Sequence, residues 1–344
     1  MLIDMHAHVL PDSFPPAGNR ESAERWPRWE AADAPNMKTL VMGGPRGFPA
    51  TEFYYSVEAR LRAMEANKVD AELVSPMPTL LNYTYPIQDA IDLCRVTNEF
   101  VVRLCETDRR RFYGLGNLPL QDPDAAAKEL ANVKQMGLFG VEIASNILGV
   151  SPGDERFLGF FQEAERQGLC IFVHSLGPTF ADRMPPAAMG GFGMAAEIGI
   201  AGASLIASGI FEKCPNLRIA LSHGAGGLAL MLPRANYFWS GTWNEEPPAE
   251  GSPMLQRPGR APLSPTEYAR RFYYDSLVFD RRALRFLIDF IGPKQLLIGT
   301  DFPAMQREMP AGRTLLSMGL DPAVQEDITW NNCFRYLGIE APKL

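Results

Sequence analysis

Short apolar segments alternate with longer amphipathic segments along most of this 344-residue chain. The opening residues, MLIDMHAHVL, hold an apolar run that predicts a strand, and a long polar stretch follows it. Apolar side chains then recur at helical spacing over residues 57–67, and the apolar run at 69–75 predicts a second strand. The same alternation continues nearly to the C-terminus, so the pattern is typical of repeated βα units.

Six further strands and six further helices are predicted from this alternation, with Asp122 as a helix N-cap and Gly168 as a C-cap. The strands are predicted at 112–118, 139–145, 170–175, 217–223, 271–279 and 295–303. The helices are predicted at 86–108, 123–137, 154–168, 193–212, 224–236 and 282–291.

The fold class follows from the kind and number of these strands. Their apolar runs are continuous rather than alternating, which indicates a parallel sheet covered by helices on both faces. About eight such strands predict an α/β fold, a distorted (β/α)8 TIM barrel that forms one domain over residues 1–344. A doubly wound open sheet is the alternative, although no GxGxxG motif follows the first strand.

Two long insertions interrupt the barrel pattern. The first, at about 11–51, is predicted to be irregular at its start and then to form a hairpin that turns at residues 43–45. An insertion of this length after a strand favours a lid or a substrate-binding flap, with an ordinary surface loop as the alternative. The second insertion is a loop at about 244–265.

Composition and charge exclude several classes of function. The net charge is −7 and no basic block is present, which argues against a nucleic-acid partner but allows a small carboxylic acid as substrate. Five scattered cysteines without a CxxC pair predict a reduced, cytoplasmic protein. The N-terminus lacks the features of a signal peptide, and no uncharged apolar run is long enough to span a bilayer, so no membrane partner is expected.

The candidate chemistry lies at the ends of predicted strands. Asp301 lies at the end of the last predicted strand. The four histidines of the chain also lie at or near the ends of predicted strands: His6, His8, His174 and His223. In an extended strand His6 and His8 point to the same side, beside Asp4. Each residue alone could be structural, but strand ends in a barrel meet at one rim. Together they predict a site for zinc or a neighbouring divalent ion, with a coordination position left for water.

Several motifs resemble the amidohydrolase superfamily: IDMHAHVLP, VHS at His174, LSHGAGG at His223 and IGTDFP at Asp301. More narrowly, the chain resembles the amidohydrolase-2 branch, which includes 2-amino-3-carboxymuconate-6-semialdehyde decarboxylase and related decarboxylases. The resemblance extends over nearly the whole chain, including stretches such as NLPLQDPDAAAKEL and YARRFYYDSLVFD that carry no predicted catalytic residue.

This resemblance implies roles for individual residues. One divalent ion, zinc or alternatively manganese, is expected on His6, His8, His174 and Asp301. His223 would activate the metal-bound water or carry a proton, and we count it with Asp301 as catalytic. Arg234, in LPRANYFW, would hold a substrate carboxylate. The resemblance also implies a homodimer with the flap near its interface.

The chain departs from this branch in its substrate-binding loops. A flap arginine of the family aligns with Phe48 here, and Arg46, two residues away, could take its role only if the loop shifts. Glu142 and Asn146, after the fourth strand, are further candidates for substrate contact. A bridging role for Glu142 between two metals is the alternative.

Three functions remain open at this point. The first is a metal-dependent, non-oxidative decarboxylase of an unsaturated or aromatic acid, either a muconate-semialdehyde-like ring-cleavage product or a hydroxybenzoate-like acid. The second is a hydrolase that opens a lactone or an amide at the same site. The third is a binding module with a structural metal, which the open coordination position disfavours.

Overall fold

A computed structural model describes residues 1–32, 34–43, 47–243, 246, 250–256 and 261–342. Eight parallel strands form one sheet in which each strand pairs with the next strand of the sheet along the chain. The two edges of this sheet meet, because the amides of Met5 and His8 donate to the carbonyls of Ile298 and Phe302 at 2.8 and 2.7 Å. The predicted (β/α)8 barrel is therefore confirmed, and the open doubly wound sheet is wrong.

The barrel strands alternate with helices as predicted. The barrel is built from β1 (Ile3–Val9), β5 (Ala71–Pro76), β6 (Phe112–Gly116), β7 (Gly140–Ala144), β8 (Cys170–His174), β9 (Ile219–Leu221), β10 (Tyr273–Asp275) and β11 (Leu296–Leu297), and the flap from β2 (Arg28–Ala31), β3 (Met37–Val41) and β4 (Phe48–Thr51). The helices are α1 (Val57–Asn67), α2 (Ile87–Thr107), α3 (Pro123–Gln135), α4 (Leu158–Gln167), α5 (Met194–Ala207), α6 (Ile210–Lys213), α7 (Leu228–Ser240), α8 (Pro265–Ala269), α9 (Arg281–Ile291), α10 (Arg313–Leu316), α11 (Pro322–Glu326) and α12 (Asn332–Leu337).

The differences from the predicted elements have local causes. The helix expected to run to residue 212 is divided into α5 and α6 by Gly209, whose φ of +66° a helix cannot accommodate. The strands β10 and β11 are only three and two residues long, shorter than their apolar runs. Apolar residues of these runs continue past the strand ends into the loops of the rim, where Phe279 is exposed and Ile298 is buried.

Two apolar layers hold the barrel. Inside it, Ile3, Met5 and Phe172 are buried in one cluster with Trp330 and Phe334 from the C-terminal helical segment. Since Ile3 and Met5 come from the start of β1, this segment covers the barrel end opposite the candidate site. A larger outer cluster lies between the strands and the surrounding helices.

The flap forms an antiparallel sheet over the start of the chain. The predicted hairpin is confirmed for β3 and β4, whose residues 37–40 pair with 51–48. The expectation of irregular structure before it is wrong for β2, which pairs with β3. Trp29 anchors β2, because its indole donates to the Pro11 carbonyl at 2.9 Å and its ring lies against Tyr55. The turn residues 44–46, with Arg46, lie outside the described residues.

One helical stretch, 186–207, is apolar and long enough to cross a membrane by length and composition alone. Its α5 part buries Ile198, Ala201 and Leu205 against the barrel. A core helix meets the same criterion, so the stretch is weak evidence for a membrane span.

Candidate metal centre

Five side chains from four strand ends converge at the carboxyl-terminal rim of the barrel. The Nε2 atoms of His6 and His8 lie 3.1 Å apart, and His8 Nε2 lies 3.1 Å from Asp301 Oδ1. One ligand atom from each of His6, His174, His223 and Asp301 lies within 4.8 Å of the others. The structure thus brings together all four predicted ligands and the predicted proton carrier.

The convergence fits a divalent ion on the chemistry of its donors. The Nε2 atoms of His174 and His223 are buried and make no hydrogen bond of normal length to the described residues. The carboxylate oxygens of Asp301 lie 4.0 Å from His174 Nε2 and 3.6 Å from His223 Nε2. Buried imidazole nitrogens without a partner are costly unless something else binds them, and imidazole with carboxylate suits zinc or manganese.

The electrostatics of the cluster favour an ionised Asp301 beside a neutral His174. Burial works against ionisation, yet His6, His223 and His8 hold the pKa of Asp301 well below its usual range. Burial and the neighbouring His8 and His6 rings lower the pKa of His174. Neutral imidazole and carboxylate are the protonation states that a metal site requires.

Asp275, at the end of β10, orients two of these histidines. Its carboxylate accepts a hydrogen bond from His6 Nδ1 at 2.7 Å and from the backbone amides of His223 and Gly224, both at 2.8 Å. The bond to Nδ1 leaves His6 Nε2 facing the centre, the arrangement by which a carboxylate usually orients a metal-binding histidine. Sequence reasoning missed Asp275, because the predicted seventh strand, 271–279, placed it in mid-strand, whereas β10 ends at Asp275 in the structure.

His223 and Asp301 both occupy a strained backbone conformation, with φ of +53° and +58°. Non-glycine residues rarely adopt such angles, which cost about 1–3 kcal/mol each and cluster at functional sites. Beside His223, Gly226 approaches the helix α5 so closely that a Cβ atom there would lie 1.8 Å from the Ala195 carbonyl oxygen. Glycine is therefore required for the turn that presents His223.

Asp4 does not lie beside the two imidazoles as the sequence pattern suggested. The pairing of β1 with β5 shifts register between Asp4 and Ala7, and this irregularity turns Asp4 away from the centre. Its carboxylate binds Arg307 at 2.7 Å and the Thr300 amide at 3.1 Å instead. Asp4 therefore helps to hold the segment that carries Asp301, since Thr300 precedes Asp301 in the chain.

The Asp4 carboxylate belongs to a buried network of charges outside the barrel wall. Arg307 also binds Glu72, and Glu72 binds Arg60. Arg60 in turn donates to the carbonyls of His8 and Phe53 at 2.9 and 2.8 Å. The network therefore ties the backbone that carries His8 to the segment that carries Asp301.

A family model described as amidohydrolase matches residues 3–339. The chain belongs to the amidohydrolase family. It is 27% identical to 2-amino-3-carboxymuconate-6-semialdehyde decarboxylase of Dictyostelium discoideum over 99% of this chain and 92% of that protein.

Solved structures of the same architecture support this fold. The 5-carboxyvanillate decarboxylase of Sphingomonas paucimobilis superposes with a TM-score of 0.77 at 24% identity, covering 98% of this chain and 99% of that one. A dihydroxybenzoic acid decarboxylase of a Polaromonas species, with bound manganese and 2-nitroresorcinol, gives a TM-score of 0.71 at 19% identity, covering 98% and 96%.

A cavity of about 940 Å³ opens from the metal centre of this amidohydrolase. His174, His223 and Asp301 line its inner end, and apolar residues from the loop after β10 and from α9 line much of the rest. The centre is thus accessible to a small molecule, as an active site must be.

Of the predicted substrate-binding residues that the structure describes, none lines this cavity. Arg234 is exposed on α7, with its guanidinium carbon 5.1 Å from the centre of the Phe238 ring. The Asn146 side chain donates to Glu197 and the Gly177 carbonyl at 3.0 and 3.1 Å, which makes it part of the loop packing. Arg46 lies outside the described residues, so its role stays a prediction.

Glu142 is buried beneath the centre rather than exposed to substrate. Its Oε2 lies 3.6 Å from His8 Nδ1, and burial raises the pKa of Glu142 to about 7. The other neighbour of His8 Nδ1 is the Ser75 hydroxyl, at 3.2 Å. Glu142 therefore contacts a predicted ligand, which supports neither substrate contact nor a second metal on the geometry alone.

Proposed function

We propose that this amidohydrolase is a metal-dependent, non-oxidative decarboxylase of an aromatic or unsaturated carboxylic acid. The observation that carries the proposal is the convergence of three histidines and Asp301 with a further histidine, His223, at the inner end of an open cavity. The names of the relatives support the reaction type, because each is a decarboxylase of such an acid.

A divalent ion at this centre would supply a Lewis acid that orients the substrate and activates water. His223 would deliver a proton to the carbon that bears the carboxylate. The bond between that carbon and the carboxylate then breaks, its electron pair returns to the conjugated system, and CO2 leaves. Asp301, 3.6 Å from His223 Nε2, would hold this imidazole in the orientation for transfer.

His6, His8, His174 and Asp301 are the proposed ligands, and zinc is the proposed ion. Imidazole and carboxylate donors suit zinc, and manganese, which the Polaromonas structure contains, is the alternative. Metal analysis of the purified protein, followed by activity after removal and restoration with each ion, distinguishes the two.

The test of the function is a product analysis with the metal-loaded enzyme. A panel of hydroxybenzoates and muconate-type acids should release one CO2 for each acid consumed. A lactone or amide that opens without loss of carbon, with no CO2 from any acid, would instead establish the hydrolase.

We further propose that the protein is a cytoplasmic homodimer. Exposed apolar side chains on α7, Met231, Tyr237 and Phe238, support a subunit interface. All five cysteines are free, as expected in a reducing compartment. Sedimentation of the purified enzyme would test the subunit number.

A further inference from the structure

The cavity is far larger and more apolar than a small hydroxylated ring requires. A cavity of about 150 Å³ is enough to hold a benzene ring. The cavity here measures about 940 Å³, which leaves most of it for another part of the ligand. What that part is can be inferred from the side chains that line it.

The only charged or ionisable side chains that line the cavity are the three at the metal centre, His174, His223 and Asp301, among the described residues. The neutral polar side chains are Thr79 and Ser175, and the Ser175 hydroxyl is already bonded to the Met194 carbonyl at 2.7 Å. Outside the metal centre, a second carboxylate or several ring hydroxyls would therefore find Thr79 as the one available polar side chain among the described lining residues, and removing such groups from water without partners costs free energy.

The loop after β10 and the helix α9 supply what we call the apolar wall of the cavity: Leu277, Val278, Phe279, Ala283 and Phe286. Phe279 is held with φ of +58° and is 72% exposed. Leu230, 73% exposed, also lines the cavity. A strained, exposed phenylalanine at the mouth of a cavity is a feature that an apolar ligand would cover.

We propose that the substrate is a monocarboxylic acid that carries a bulky, uncharged apolar substituent, such as an alkyl chain or a second ring, held by the apolar wall. The proposal rests on the decarboxylase function given above. The carboxylate end lies at the metal centre, and the substituent occupies the space that a small dihydroxybenzoate leaves empty.

The experiment compares 2-hydroxybenzoates that carry alkyl chains from methyl to hexyl, meta or para to the carboxylate, with dihydroxybenzoates. The metal-loaded enzyme is assayed for CO2 release, and binding is measured by calorimetry with analogues in which a nitro group replaces the carboxylate. We expect kcat/KM and affinity to rise about fourfold for each added methylene that is buried. A fall in both with chain length, while dihydroxybenzoates react efficiently, overturns the proposal and leaves the decarboxylase function intact.

The variant Ala283→Leu shortens the space in front of the apolar wall. It should reduce kcat/KM for the hexyl acid by about tenfold or more, and change that for the methyl acid less than about threefold. Ala125→Leu is the matched control, since Ala125 and Ala283 both occupy the third position of a helix after an aspartate cap. Equal losses for both acids with Ala283→Leu would contradict the role of the wall.

The two proposals fail differently. If no acid releases CO2 but the alkyl nitro analogues still bind more tightly with chain length, the decarboxylase function is wrong and the apolar wall is right. Phe286→Ala provides a second variant if Ala283→Leu does not fold, and it should weaken the hexyl analogue selectively.

Discussion

The two ends of the active-site cavity differ in how their side chains are held. At the metal centre, the side chains follow barrel strands, and hydrogen bonds fix His6 through Asp275 and His174 through the Ser175 carbonyl. The apolar wall consists of side chains from one loop and one helix, and all of them present apolar groups to the cavity. The comparison teaches that the reaction is determined by the barrel, whereas substrate choice is determined by segments that can change without disturbing it.

Loss of His223 should produce the largest effect, because it removes the proton carrier and leaves the other four side chains in place. We expect His223→Ala to reduce kcat by about 10²–10⁴-fold, the usual contribution of general acid–base catalysis. Metal content should stay near wild type, and added imidazole should restore part of the activity.

The same variant can contradict the assignment of roles. A ring nitrogen of His223 lies within 4.8 Å of ligand atoms of His6, His174 and Asp301, as these predicted ligands do of one another. If His223→Ala lowers the metal affinity together with the activity, His223 is a metal ligand. The proton carrier would then have to be another residue.

The buried charges behind the centre should come next in magnitude. Arg307→Met removes a cation that is bonded to both Asp4 and Glu72, all three side chains being nearly inaccessible to solvent. Breaking such a pair leaves uncompensated buried charge and should cost about 3–5 kcal/mol in the free energy of unfolding. Denaturant titration of the metal-free protein measures this cost.

Arg282→Met is the matched control for Arg307→Met, since the Arg282 side chain is 93% exposed. It should change the free energy of unfolding by less than about 0.5 kcal/mol. If the two variants were equally stable, the buried network would not be what holds β1 to the segment of Asp301.

Much of this catalytic end could be predicted from sequence, for a physical reason. Strand ends meet at one rim, so His174 and His223 could be placed together without knowledge of their contacts. The position of Asp4 could not be predicted in this way, because it depends on an irregular pairing and on Arg307, 303 residues away in the sequence.

The apolar wall was equally inaccessible to sequence reasoning. The apolar positions of α9 predict a helix with a buried face, and that prediction is confirmed. However, Leu284 faces the core whereas Ala283 and Phe286 line the cavity. The same hydrophobicity serves both environments, so only the three-dimensional arrangement separates them.

Removal of the Asp275 carboxylate should have an intermediate effect on catalysis. Asp275→Asn keeps the shape of the side chain but removes the charge that orients His6 and the amide of His223. Changes at such supporting residues typically cost about 10–100-fold in metal affinity or activity. Metal affinity and kcat should be measured together.

Asp280→Asn is a suitable control for Asp275→Asn. Asp280 caps α9 through the amides of Arg282 and Ala283, and asparagine is an equally good cap. The control should therefore behave as wild type. A wild-type metal affinity for Asp275→Asn would show that the strands alone position His6.

The smallest effect is expected from Arg234, where the sequence-based hypothesis and the geometry of the single chain differ. Arg234 is exposed on α7 and outside the cavity, so Arg234→Ala should change stability by less than about 0.5 kcal/mol and KM by less than about threefold. Arg285→Ala, another surface arginine, is its control. A tenfold rise in KM with unchanged kcat would mean that Arg234 holds the substrate carboxylate, since such a change reports binding that is lost equally in the ground and transition states. The guanidinium of one subunit would then have to enter the cavity of a second subunit, and the apolar wall would have a cation beside it.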